Sequence, residues 1–206
     1  MSELRDRDGL TEKEFLAAYK EKNYPKPSLT ADILIFKKNG DITKLLLIKR
    51  GGHPFLGKWA LPGGFVNPDE SADAAAAREL EEETHIKAAG LKQLGLYSKP
   101  GRDPRTWVVT EAYIAYISDS APDADYVAVA DDDADAARWF DISCEASEKK
   151  TELLLRSDNL KLIIRINGDD VTSEELAFDH SRIIWDGYRQ IWERIQTEEP
   201  IKNPFI

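Results

Sequence analysis

The stretch Gly63-Gly64-Phe65-Val66-Asn67-Pro68-Asp69-Glu70-Ser71, with its continuation Ala72-Asp73-Ala74-Ala75-Ala76-Ala77-Arg78-Glu79-Leu80-Glu81-Glu82-Glu83-Thr84-His85-Ile86, decides the fold. Its alanine- and glutamate-rich part, residues 71–84, predicts a helix entered from a Gly-Gly turn. On that helix Glu79, Glu82 and Glu83 stand at i, i+3 and i+4, so their carboxylates share one side and reach a common point. Like charges so close repel, and a hard divalent cation such as magnesium would neutralise them through carboxylate and water oxygens. Glutamates alone on a helix read more simply as a solvated acidic face; the spacing around these decides otherwise.

Outward from this helix, residues 29–36 and 45–48 read as strands joined by the turn Asn39-Gly40. Before them, residues 10–22 read as a short helix capped by Thr11 with Glu14 three residues on, ended by Pro25 and Pro27. After the central helix, residues 91–98 and 107–117 read as strands around the loop 100–105, and the acidic stretch 119–135 as a surface loop before a short strand at 138–140. Residues 153–155 and 160–166 read as short strands. A helix over about 173–196 carries Leu176, Ile183, Ile184, Tyr188, Ile191 and Ile195 as an apolar stripe. Strands and helices alternate with no repeat and no Gly/Ser linker, which predicts one mixed α/β unit with terminal helices.

Composition bounds the class. With 206 residues, 42% of them hydrophobic, and five tryptophans, the chain can bury one core but not two enzyme domains. Neither a membrane span nor a signal peptide is expected, which points to the cytoplasm. The single Cys144 reads as an inert packed thiol, and one thiol with three histidines argues against a structural zinc site. A net charge of -10 argues against a nucleic-acid partner, because such affinity rests on clustered Lys and Arg. An acidic enzyme acting on small anions must concentrate its positive charge locally or use a metal.

From Gly64, five residues lead to Glu70 and seven more to Arg78-Glu79, after which Leu80, Glu82, Glu83 and Ile86 complete a run that resembles the Nudix box, G-x5-E-x7-R-E-U-x-E-E-x-G-U with U apolar. Only the late glycine differs, being His85, which alters the helix end. The blocks 27–36, 45–50, 57–66, Gly101-Arg102-Asp103-Pro104-Arg105 and Leu176-Ala177-Phe178-Asp179-His180 are similar to the ADP-ribose pyrophosphatase branch of that family. The resemblance implies an α/β (α+β) Nudix fold, a mixed sheet sandwiched between helices with extra terminal helices. It divides the chain into an N-terminal helical segment 1–26, a Nudix domain 27–196 and a tail 197–206. The branch also contains transcription regulators of NAD metabolism that carry a winged-helix domain after the Nudix domain, for which no room is expected before Ile206.

The resemblance further implies hydrolysis of a nucleoside diphosphate derivative, ADP-ribose to AMP and ribose 5-phosphate, with Mg2+ as cofactor and Mn2+ as an alternative. Another nucleotide sugar or oxidised nucleotide as substrate, or a sensor without turnover, are the competing readings. Glu79, Glu82 and Glu83 are the expected metal ligands, with the Gly63 and Gly64 backbone shaping the site. Arg78 would pair with Glu70 and orient the loop and helix, although an ordinary surface pair reads nearly as well. The general base is Glu79 or else Asp132 or Asp133. Arg50, Arg102 and Arg105 are the expected substrate contacts, since guanidinium matches phosphate geometry. Trp107 and Tyr97 are candidates for stacking on adenine or for core positions, while His53, His85 and His180 read as structural. The terminal helix with Trp185 and Trp192, together with the dimers common in the branch, predicts a homodimer.

Overall fold

The computed structural model describes residues 3–20, 24–39, 42–84, 90–117, 134–147 and 150–196. A helix α1 (Glu12–Ala18) leads into strands β1 (Ser28–Asn39), β2 (Ile42–Arg50), β3 (Trp59–Ala60) and β4 (Gly63–Phe65). Helix α2 (Ala72–Thr84), strands β5 (Lys92–Tyr97), β6 (Val108–Ile117), β7 (Ala134–Ser147), β8 (Lys150–Ser157), β9 (Leu160–Asn167) and β10 (Asp170–Thr172), and helix α3 (His180–Gln196) follow. The sheet runs β10-β9-β8-β7-β2-β1-β6-β5, with β3 paired to β2 and β4 to β1. It is mixed because β1 and β6 run parallel, from Ser28 beside Val108 to Lys37 beside Ile117, while the other pairs are antiparallel.

Strand β1 is buried on both faces, which is why its sequence is an apolar run rather than an alternation. Ile33 and Ile35 face one way, into a cluster with Ala75, Ala76 and Leu80 of α2. Leu34 and Phe36 face the other way, into a cluster with Ile183, Ile184, Tyr188 and Ile191 of α3. The sheet therefore lies between α2 and α3, as the Nudix resemblance implies. The alanines matter here: Ala75 and Ala76 are fully buried and let the backbone of α2 lie close to the sheet.

Several sequence expectations need correction. The last helix begins at His180, not near residue 173. Upstream of it the backbone pairs with β3: Trp59 donates to the Glu175 carbonyl at 2.9 Å and Ala177 donates to the Trp59 carbonyl at 2.8 Å. Phe178 has a φ of 52°, which a right-handed helix excludes. Leu176 thus enters the core from an extended segment. The short strand expected at 138–140 is the 14-residue β7, held on one side by β2 and on the other by β8. Strands β3, β4 and β10 were not expected. Helix α1 has the Thr11 capping box, but it ends at Ala18 and buries none of its residues. The apolar stripe of α3 packs inside this chain, so it no longer argues for a second copy; Trp185 is half-buried against the core and Trp192 is 48% exposed. Among the described residues no helix is long and apolar enough to cross a membrane.

Candidate active site

Ser71 starts α2 as its cap: its Oγ accepts from the Ala74 N–H at 3.2 Å and its carbonyl from Ala75 at 2.9 Å. With Ala75, Ala76, Leu80 and Thr84 turned to the sheet, the glutamates of the second half lie toward β4 and solvent. The two glycines of β4 seat two of them. A Cβ on Gly64 would lie 2.2 Å from Glu79 Oε1, so the Glu79 carboxylate rests directly on the Gly64 backbone. The Gly63 N–H donates to Glu83 Oε2 at 2.8 Å. Gly63 itself, at φ 150°, faces β1 so closely that a Cβ would meet the Ala31 carbonyl at 2.2 Å.

Arg78 ties this corner together. Its guanidinium donates to Glu70 at 2.7 Å, to Glu79 at 2.7 Å, to Glu82 at 3.0 Å and to the Phe65 carbonyl at 3.1 Å. Glu70 also accepts from the Asn67 N–H at 2.8 Å, and Arg78 chiefly holds its carboxyl down at about 2. The Arg78–Glu70 pair that the box spacing suggests is therefore formed.

Glu83 faces a cavity of about 240 Å3. Burial pushes its carboxyl up to about 8, aided by the charges of Glu79 and Asp32 and opposed by the Gly63 N–H. Asp32, buried on β1, is pushed up to about 6, again mainly by burial and against the pull of Arg102. Its Oδ2 lies 3.8 Å from Arg102 Nη2 and 3.8 Å from His180 Nε2. Like-charged carboxylates held together in a half-enclosed place are what a hard divalent cation would relieve, and their oxygen donors fit one. Glu79 and Glu83 would hold it from the glycine side. Glu82 is 58% exposed and bound to Arg78, and among the described residues no three acidic or imidazole groups already surround one point.

The same cavity is also lined by cations. Arg50, Arg102 and Arg105 all line the cavity, with Gly63 and Gly64. They differ in how far they are committed. Arg102 is 4% exposed; its Nε and Nη2 grip Asp179 at 2.9 and 2.6 Å and its Nη1 donates to Thr110 Oγ1 at 2.6 Å. It braces the loop after β5 against the start of α3. Arg105 pairs with Asp103 at 2.8 Å but keeps 42% of its side chain exposed. Arg50 donates through Nε to the Pro54 carbonyl at 2.8 Å.

Two aromatic candidates do not reach this cavity. Tyr97 donates to Asp186 at 3.1 Å on the α3 side, and Trp107 is 51% exposed before β6. His53 lines the cavity from an exposed loop. His85, Asp132 and Asp133 lie outside the described residues. Cys144 is half-buried, and burial pushes its thiol up. His180 is more central than its lone-histidine signal suggested: its Nδ1 accepts from the buried Leu61 N–H at 2.9 Å, and burial pushes it down to about 3. Asp32 is a site residue that is not among the sequence candidates; an aspartate inside an otherwise apolar strand run is its signal in the chain.

A mixed sheet between two helices, with a Gly-Gly strand seating the carboxylates of the first, is the architecture of a Nudix hydrolase. A family model described as NUDIX domain matches residues 26–154, and the chain belongs to this family. Among curated relatives it is 35% identical to an ADP-ribose pyrophosphatase of Methanocaldococcus jannaschii, over 81% of this chain and 76% of that one. It is 41% identical to an ADPR responsive transcriptional repressor of Acinetobacter baylyi over 52% of this chain; the match spans 44% of the repressor's length. The crystal structure of a MutT/nudix family protein from Enterococcus faecalis superposes with a TM-score of 0.77 at 36% identity, covering 91% of this chain and 71% of that one.

Proposed function

We propose that this Nudix hydrolase cleaves ADP-ribose to AMP and ribose 5-phosphate with Mg2+, which Mn2+ can replace. The observation that carries the reading is that one cavity is lined both by the carboxylates of Glu83 and Asp32 and by the guanidiniums of Arg50 and Arg105. A diphosphate needs both groups: cations to hold its charge, and carboxylates to hold the metal that would activate water. The 35% identity to an ADP-ribose pyrophosphatase across most of both chains supports this substrate class.

In this reading Glu79, Glu82 and Glu83 would hold the metal, with the Gly63 and Gly64 backbone shaping the site. Bound there, Mg2+ would neutralise the diphosphate and acidify the attacking water. Arg50 and Arg105 fix the phosphates so that one phosphorus faces the carboxylate side. Arg102 acts by positioning, holding the Arg105 loop against Asp179. Arg78 keeps Glu79 and Glu82 oriented. Glu79 is the described candidate for accepting the proton of the attacking water.

The repressor relative supports a second reading, a sensor that binds the nucleotide without turnover. The complete set Glu79, Glu82 and Glu83 favours turnover, since a sensor has no need of all three. A cytoplasmic homodimer belongs to the proposal too, resting on the resemblance to the branch. The deciding experiment screens AMP release from a panel of diphosphate nucleotides with magnesium. ADP-ribose should give the highest kcat/KM; binding without product would replace the enzyme by the sensor.

A further inference from the structure

We propose that Phe178 is a positioning residue for the diphosphate, its ring holding the guanidiniums of Arg50 and Arg105 together so that both serve one doubly phosphorylated ligand. The inference rests on the diphosphate reading above and deepens it. Arg50 Cζ lies 5.1 Å from the centre of the Phe178 ring and Arg105 Cζ 5.7 Å from it. Asp103 offsets the charge of Arg105 and Glu83 interacts with Arg50, and the ring that both guanidiniums share adds to those attractions. An aromatic face carries negative charge density and attracts a cation within about 6 Å of its centre. Each arginine is also tethered on its own side, Arg50 to the Pro54 carbonyl and Arg105 to Asp103. The ring is a contact that both guanidiniums share.

The backbone supports a role for this residue beyond filling space. Phe178 sits at φ 52°, left-handed and unfavourable for a residue with a bulky side chain. Its neighbours impose the conformation: Ala177 donates to Trp59 at 2.8 Å, and Asp179 is held by Arg102. The result turns the ring into the cavity, edge-on to Phe55 at 4.7 Å between centres. Phe65 also lies under Arg105, at 5.3 Å, but it is 44% exposed. Two guanidiniums held on one ring suit linked phosphates better than a single one, so Phe178 should set the preference for a diphosphate over a monophosphate.

The test compares Phe178→Leu, which keeps an apolar side chain on the same backbone, with Phe178→Tyr, which keeps the ring. The Leu variant should raise KM for ADP-ribose about tenfold, the scale of losing cation–ring attraction at an enclosed site, with kcat within about threefold. The Tyr variant should restore KM. Calorimetric titration of ADP and of AMP gives a readout independent of turnover: the Leu variant should lose more affinity for ADP than for AMP. If the Leu variant does not fold, Phe178→Met, also apolar and without a ring, carries the same comparison. An unchanged KM, a Tyr variant as impaired as the Leu one, or equal losses for ADP and AMP would each overturn the proposal. If the wild-type protein hydrolyses some other diphosphate and not ADP-ribose, the substrate assignment fails, and the ADP and AMP titrations still judge Phe178.

Discussion

The Glu79 carboxylate fills the place that a side chain on Gly64 would take: a Cβ on the glycine would stand 2.2 Å from Glu79 Oε1 and 2.5 Å from its Cδ. The carboxylate can lie over β4 only because the strand has no side chain there. Gly64→Ala should therefore displace Glu79 while leaving the core, which Gly64 does not enter, intact. We expect kcat to fall about a hundredfold, the scale of misplacing a charge-stabilising group, with an unchanged far-ultraviolet circular dichroism spectrum. A normal kcat would show that Glu79 does not act from this position.

Glu83→Gln and Glu82→Gln should each keep the fold and lower turnover at least roughly a hundredfold at saturating magnesium. Their stabilities should differ. Glu83 is enclosed among like charges, so removing its charge should not lower the thermal midpoint in chelator. Added magnesium should raise the midpoint of the wild type and not of Glu83→Gln, since only binding to the native state stabilises it. Near-normal turnover in either folded variant would remove that residue from the metal set.

Arg102 and Arg105 should separate in their kinetics. Arg102→Ala strands Asp179 and buried Asp32 without their partner, and should cost about 3 kcal/mol in denaturant unfolding. Arg105→Ala removes a side chain that is 42% exposed and leaves the buried Asp103 the Arg105 backbone N–H, and should raise KM more than it lowers kcat. If Arg102→Ala proved stable and raised KM alone, Arg102 would be a substrate contact and not a brace.

His180 gives the fold a pH dependence of known sign. Its folded pKa, about 3, lies below its ordinary 6.5, so between those values the unfolded chain takes up a proton that the native state refuses. This group therefore costs stability as pH falls from about 6.5 toward 3. Asp32 and Glu83 act in the opposite sense, because their raised pKa values favour proton uptake by the native state. Comparing urea midpoints at pH 7 and pH 4.5 for wild type and His180→Asn isolates the histidine: the variant should lose less stability on acidification. An equal loss in both would mean that His180 is protonated in the folded protein.

Sequence alone carried the elements whose cause is local. The capping box at Thr11 and Glu14, the α2 helix with its alanine and glutamate rows, the apolar run of β1 and the box spacing from Gly64 to Glu83 all depend on neighbours a few residues apart, and all are legible without a third dimension. Pairing between distant segments decided the rest. Residues 173–179 look helical by periodicity, yet they form no helix, because Trp59, more than a hundred positions earlier, takes the hydrogen bonds of Glu175 and Ala177. Three arginines look alike in the chain, and only the fold gives Asp179 to Arg102 while setting Arg50 and Arg105 against Phe178. Asp32 and His180 acquire their shifted affinities for protons from burial, a property of packing that no short stretch of sequence encodes.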